Sequence, residues 1–203
     1  MKIICIGRNY AEHAKELNNP LPSKPVFFLK PDTALVKKGA PFFLPEHSND
    51  VHHELEIVIR INRIGKHIEE RFAHKYYQEI SLGLDFTARD VQKDCKEKGL
   101  PWEIAKAFDG SSPIGSFLPV SNFENINNLS FQLLKNEEVV QSGNTKDMIF
   151  NIHQIISYVS KFFTLKIGDL IYTGTPSGVG PVKPKDILVG KLEGQEVLKC
   201  KVL

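Results

Sequence analysis

Two glutamates separated by a single residue lie inside a run of strand formers, Val51-His52-His53-Glu54-Leu55-Glu56-Ile57-Val58-Ile59. Side chains i and i+2 of a strand share a face, roughly 6 to 7 Å apart at about 3.3 Å rise per residue. Glu54 and Glu56 therefore point the same way, while Val51, His53, Leu55, Ile57 and Ile59 make an opposite, mostly apolar row suited to a core. Two neighbouring anions repel unless a cation sits between them. A third carboxylate comes from a second alternating segment, in which Ile80, Leu82, Leu84 and Phe86 interleave with Ser81, Gly83, Asp85 and Thr87. Gly83, two residues before Asp85, leaves room for something to approach. Three carboxylates without thiolates at metal spacing suit magnesium, manganese or calcium better than zinc. The same spacing also fits a plainer arrangement, with Glu54 and Glu56 on the wet face of an edge strand and Asp85 unrelated to them.

A second candidate pairs His13 with Glu16, spaced i, i+3 on a short helical stretch and so on one face. A carboxylate beside an imidazole fixes its tautomer and raises its basicity, which turns water into a nucleophile near neutral pH. Gly7 before the stretch and Pro20 and Pro22 after it would let this helix act as a lid over substrate. A solvent-exposed histidine near a glutamate is the alternative. Of the remaining histidines only His52, on the Glu54 face, stands near the carboxylates. The loop Thr173-Gly174-Thr175-Pro176-Ser177-Gly178-Val179-Gly180 lacks the Gly-Lys-Ser/Thr of a phosphate loop, which argues against a nucleotide site. It offers close backbone approach and small hydroxyls that could grip a carboxylate or carbonyl, or it is an ordinary tight turn.

The elements that must hold these groups are mostly strands. Strands are expected at Lys2–Ile6, Val26–Leu29 and the Glu54 segment, a turn and a buried strand within Leu165–Thr173, and an extended piece at Pro41–Leu44. Helices are expected at Asn9–Leu17, stopped by Asn18-Asn19-Pro20, at Phe72–Tyr77, and at Ala88–Lys98, ended by Gly99 and Pro101. A further helix is expected after Asn144, with Met148, Ile149, Ile152, Ile155, Ile156, Val159, Phe162 and Phe163 as its core stripe. Strands without regular intervening helices point to an α+β class around a mixed or antiparallel sheet, not a doubly wound one.

Composition sets outer bounds. A chain of 203 residues can bury one sizeable core, so a single domain over 1–203 is expected. With 26 basic against 24 acidic residues, neither nucleic acid nor a membrane surface is favoured as a partner. Cys5, Cys95 and Cys200 are odd in number and scattered, fitting a reduced, cytoplasmic compartment. The apolar run at the first residues is too short for a signal peptide, and no run of apolar residues is long enough to span a bilayer.

Six ordered motifs carry a resemblance: Gly7-Arg8-Asn9-Tyr10-Ala11-Glu12-His13, Phe28-Leu29-Lys30-Pro31, His53-Glu54-Leu55-Glu56, Gly83-Leu84-Asp85-Phe86-Thr87-Ala88-Arg89-Asp90, Lys106-Ala107-Phe108-Asp109 and the Thr173–Gly180 loop. Together they resemble the fumarylacetoacetate hydrolase family across essentially the whole chain, most of all its compact acylpyruvase and oxaloacetate decarboxylase branch. The resemblance implies a β-rich roll of mixed sheets with a few peripheral helices and an N-terminal lid helix, usually as a homodimer. It implies Glu54, Glu56 and Asp85 as ligands of Mg2+ or Mn2+, and His13 and Glu16 as the lid dyad. Lys106 would support a developing anion, Arg89 and Gln92 would face the substrate, and Thr175 would hold its carboxylate or carbonyl end. The expected activity is hydrolysis of acylpyruvates to pyruvate and a carboxylic acid, with decarboxylation of oxaloacetate open to the same site. An isomerase or tautomerase of unsaturated 2-oxo dioic acids is the alternative, and a non-catalytic 2-oxo acid binder a remote third.

Overall fold

The computed structural model describes residues 1–16, 20–36 and 39–203. In chain order the elements are β1 (Ile3–Gly7), α1 (Ala11–Glu16), β2 (Val26–Lys30), β3 (Leu35–Val36), β4 (Val51–His53), β5 (Leu55–Ile61), β6 (Tyr77–Leu84), β7 (Thr87–Ala88), α2 (Arg89–Lys98), α3 (Glu103–Lys106), β8 (Ser112–Pro113), β9 (Leu118–Pro119), β10 (Ser130–Lys135), β11 (Glu138–Asn144), α4 (Ile152–Val159), β12 (Leu170–Tyr172), β13 (Gly180–Pro181), β14 (Ile187–Leu192) and β15 (Gln195–Lys201). Six strands form the main sheet in the order β2-β1-β12-β5-β6-β9, with β1 and β12 parallel and all other neighbours antiparallel. A second, antiparallel sheet runs β11-β10-β14-β15, and two small ones run β13-β4-β7 and β3-β8. This is the expected α+β, β-rich mixed-sheet class. Among the described residues no helix is long and apolar enough to cross a membrane.

Alternation along the strands sorts side chains into two cores. Leu55, Ile57, Ile59, Leu82 and Leu84 join the larger core with Leu188, Leu198 and the helix residues Ile152, Ile155 and Ile156. Gly190 lets the second sheet close on the first, since a Cβ there would lie 3.2 Å from Leu82 Cδ1. The opposite row, Ile3, Cys5, Val58 and Tyr172, makes a smaller core. Complete burial of a Leu or Ile side chain contributes about 1.5–3 kcal/mol, so these inner strands are the stable part of the fold. Because β5 lies between β12 and β6, the expectation of an apolar row against a core holds and the edge-strand arrangement is ruled out.

Several boundaries differ from expectation. The N-terminal helix is only Ala11–Glu16, with Leu17, Asn18 and Asn19 outside the described residues. The turn expected as helix at Phe72–Tyr77 is a 3-10 segment, Glu70–Lys75, and Tyr77 already belongs to β6. Helix does not begin after Asn144, whose side chain caps only a 3-10 turn, Thr145–Asp147. Met148 and Ile149 stay outside the helix because tertiary partners claim them: Met148 bridges Tyr10, and Ile149 N–H donates to Asn9 O at 2.8 Å. The α-helix starts seven residues later at a capping box, where Asn151 and Gln154 exchange side-chain to backbone hydrogen bonds at 3.0 and 2.9 Å. The helix at 88–98 matches its expectation, Gly99 closing it with φ +65°.

Candidate active site

The carboxylates come together where two strands change sheets side by side. β4 pairs with β7 and β13, whereas β5 pairs with β6 and β12, so Glu54 sits at the switch between sheets instead of within a strand. Asp85 occupies the matching break between β6 and β7, and its N–H donates to Glu54 O at 2.8 Å, fixing the two breaks to each other. Glu56 lies one step into β5, opposite Gly83. The space above Gly83 is filled by the Tyr172 ring, 2.5 Å from where a Cβ would stand, so the approaching group is this ring and not a ligand. One oxygen of each of Glu54, Glu56 and Asp85 lies within 4.8 Å of the others, and all three residues are buried.

Three cations face these anions. Lys106 Nζ donates to Glu54 Oε2 at 2.8 Å and to Asp85 Oδ2 at 2.9 Å. Arg89 Nη2 donates to Glu54 Oε1 at 2.6 Å and its Nη1 to Gln92 Oε1 at 2.8 Å. Lys30 Nζ stands 2.7 Å from Asp85 Oδ1, close enough for charge contact but off the angle of a hydrogen bond, leaving that buried oxygen without a donor. Burial raises the Glu54 carboxyl, yet Lys106, Arg89 and His13 together hold it well below the ordinary carboxylate value. Glu56 has no ion-pair partner among the described residues. Burial and then the Asp85 charge push its carboxyl well above the ordinary value, against the opposing Gly174 N–H bond of 2.7 Å. Burial disfavours the Lys106 ammonium, but Asp85 and Glu54 outweigh it and raise its pKa.

This donor set fits a hard divalent cation. Three carboxylate oxygens converge, one carboxyl lacks a counter-charge, and one buried oxygen lacks a hydrogen bond. Glu54, Glu56 and Asp85 could hold such an ion.

His13 meets the same pocket from α1. Its Nδ1 lies 3.0 Å from Glu16 Oε2, and Glu16 Oε1 accepts from Gly178 N–H at 3.0 Å. The imidazole is buried and lines a cavity of about 40 Å³ together with Glu54, Glu56, Asp85, Arg89, Gln92, Lys106 and Thr175. Every residue to which the resemblance gives a role thus borders this cavity except Glu16, which stands behind His13. His52 does not; it pairs with Asp50 at 2.9 Å. Thr175 accepts at Oγ1 from Gln141 Nε2 at 2.9 Å. Gly174 is required by its loop: its φ is +101°, and a Cβ would lie 2.7 Å from that of Asn9. Phe28 and Trp102 supply an apolar wall, with the Lys96 ammonium 5.5 Å from the Trp102 ring centroid.

Sequence reasoning assigned no part to Lys30, Asn9, Gln141 or Arg8. Lys30 donates to Ser111 O and Oγ, each at 3.0 Å, and Ser111 Oγ donates to Lys106 O at 2.9 Å, tying β2 to the lysine segment. A lone lysine closing the apolar strand Val26-Phe27-Phe28-Leu29 is the available signal. Asn9 bonds Phe150 through both side-chain atoms, at 2.9 and 2.8 Å, and Thr173 O at 2.8 Å, fastening the entry of α1 to the glycine loop. Gln141 reaches from the second sheet to Leu55 N, Thr175 and Pro176. Nothing local in the sequence marks either. Arg8 adopts φ +59°, a conformation costing a non-glycine residue about 1–2 kcal/mol.

Comparison with known proteins agrees with the fold. Residues 2–203 match the family model described as fumarylacetoacetate (FAA) hydrolase C-terminal, and the chain belongs to the fumarylacetoacetate hydrolase family. Over 200 residues it is 46% identical to mitochondrial oxaloacetate tautomerase FAHD1 of Bos taurus, covering 98% of this chain and 90% of that protein. It is 45% identical over 188 residues to the mitochondrial oxaloacetate decarboxylase of Dictyostelium discoideum, covering 92% and 86%. The crystal structure of fumarylpyruvate hydrolase from Pseudomonas aeruginosa in complex with Mn2+ and pyruvate superimposes with a TM-score of 0.94 at 36% identity, covering 100% of this chain and 89% of that one.

Proposed function

We propose that this chain is a divalent-metal enzyme of enolisable 2-oxo acids, whose first substrate is oxaloacetate and whose reactions are keto–enol tautomerisation and decarboxylation. The observation that carries this reading is that His13, Lys106 and the three carboxylates border one cavity. The names of two of the relatives described above support the same choice.

A Mg2+ or Mn2+ ion held by Glu54, Glu56 and Asp85 would polarise the 2-oxo group and favour an enolate. Arg89, steadied by Gln92, and Thr175 orient the substrate carboxylate. His13, its tautomer set by Glu16, removes a proton from C3 for tautomerisation and returns one there in the reverse direction. Lys106 donates a hydrogen bond to the enolate oxygen. In decarboxylation the C3–C4 bond breaks, its electrons pass to the 2-oxo oxygen, carbon dioxide leaves, and protonation at C3 completes pyruvate. Hydrolysis of acylpyruvates is the second reading, favoured by the His13–Glu16 distance of 3.0 Å, a geometry that can equally draw a proton from water.

The test follows oxaloacetate by enol absorbance and by NMR, with Mg2+, with Mn2+ and with chelator, beside an acylpyruvate. Expected are metal-dependent interconversion of the enol and slower release of pyruvate. Activity indifferent to chelator, or cleavage of the acylpyruvate with oxaloacetate untouched, would overturn the primary reading.

A further inference from the structure

Lys30, Arg89 and Lys106 all pair with Glu54 or Asp85. Two further cations stand at the same cavity outside these pairs. Arg8 is half-buried, and among the described residues it has neither an ion pair nor a hydrogen bond from its side chain. Lys96 has no carboxylate partner either and rests over Trp102. The two feel each other, since the Lys96 ammonium is disfavoured first by burial, then by Arg89 and Arg8. Cations that line a cavity without an ion-pair partner favour an anionic ligand there. Arg8 also keeps a left-handed backbone directly after Gly7, where glycine would be at ease. Backbone strain retained at a pocket is itself a pointer to a role for that side chain.

We propose that Arg8, aided by Lys96, grips the second carboxylate of a dianionic 2-oxo acid and thereby sets the preference for dicarboxylates over monocarboxylates. This rests on the functional reading above and extends it to a residue that reading leaves without a role. With the head of the substrate held by Arg89, Gln92 and Thr175, the far carboxylate would lie within the same cavity that Arg8 lines, where a guanidinium can take it in two parallel hydrogen bonds.

The experiment uses the Mg2+-loaded enzyme and a matched pair, oxaloacetate and its C4 monomethyl ester, which share the 2-oxo acid head and differ in the far charge. Arg8→Gly is the informative variant, because it suits the left-handed backbone and should melt no lower than the parent. Its KM for oxaloacetate is expected to rise about 10- to 100-fold, the loss typical of a charged hydrogen-bonded contact, with the ester almost unchanged. Arg8→Lys should recover part of the difference, and Arg8→Gln gives the same comparison should glycine loosen the β1 to α1 turn. Equal weakening toward both compounds, or toward neither, would overturn the proposal. Should the parent enzyme turn over neither compound, the functional reading fails by itself, and calorimetric binding of the same pair decides the role of Arg8 separately.

Discussion

The floor and the roof of the pocket are built in different ways. The floor carries Glu54, Glu56 and Asp85 at the ends of inner strands, locked by paired switches between sheets and by buried ammonium and guanidinium groups. The roof is a six-residue helix carrying His13, fastened through Asn9 and through one bond from Gly178 to Glu16. Charge that must stay fixed is placed where the fold is strongest, and the group proposed to move protons is placed on an element with few attachments. Substitutions in the floor should therefore cost both folding and chemistry, and those in the roof chemistry alone.

The sharpest challenge to that contrast is Asp85→Ala. It leaves Lys30 and Lys106 buried beside too little negative charge, so a stability loss of about 3–5 kcal/mol is expected in urea unfolding, together with loss of Mn2+ uptake by calorimetry. Unchanged stability would show that the floor is less tightly coupled than its geometry indicates. His13→Ala should lower kcat about 10²- to 10⁴-fold, as for loss of a general acid–base group, with the urea midpoint held. A comparable drop in stability would erase the distinction between floor and roof. The smallest expected effect is at the joint between them. Gln141→Ala strips Leu55 N and Thr175 of a partner and should cost about 1–3 kcal/mol in stability, with kcat moved less than by His13→Ala. The reverse ranking would place Gln141 in the chemistry.

The floor was the more legible region in sequence. Period-two alternation around Glu54 and Asp85 gave the strands and the shared face of Glu54 and Glu56, because a strand repeats in register with its own sequence; that Asp85 joins them came from the family resemblance. Alternation could not show that the two strands change sheets at Glu54 and Asp85, since that turn is set by which partner each half finds. The roof was legible only as a pair, His13 with Glu16. Its fastening depends on Asn9, Phe150 and Gly178, residues far apart in the chain. The same limit explains the misplaced start of α4: Met148 and Ile149 have the spacing of helix residues, but Tyr10 and Asn9 hold them outside it. Lys30 hid for another reason, being a charge at the end of an apolar strand, where a snorkelling surface lysine is the ordinary reading.

Trp102 is the only tryptophan in the chain, and its ring forms part of the pocket wall beneath Lys96. Its emission consequently reports on this cavity and nowhere else. Ion uptake and ligand entry can each be timed by light in the unlabelled protein, with no engineered probe.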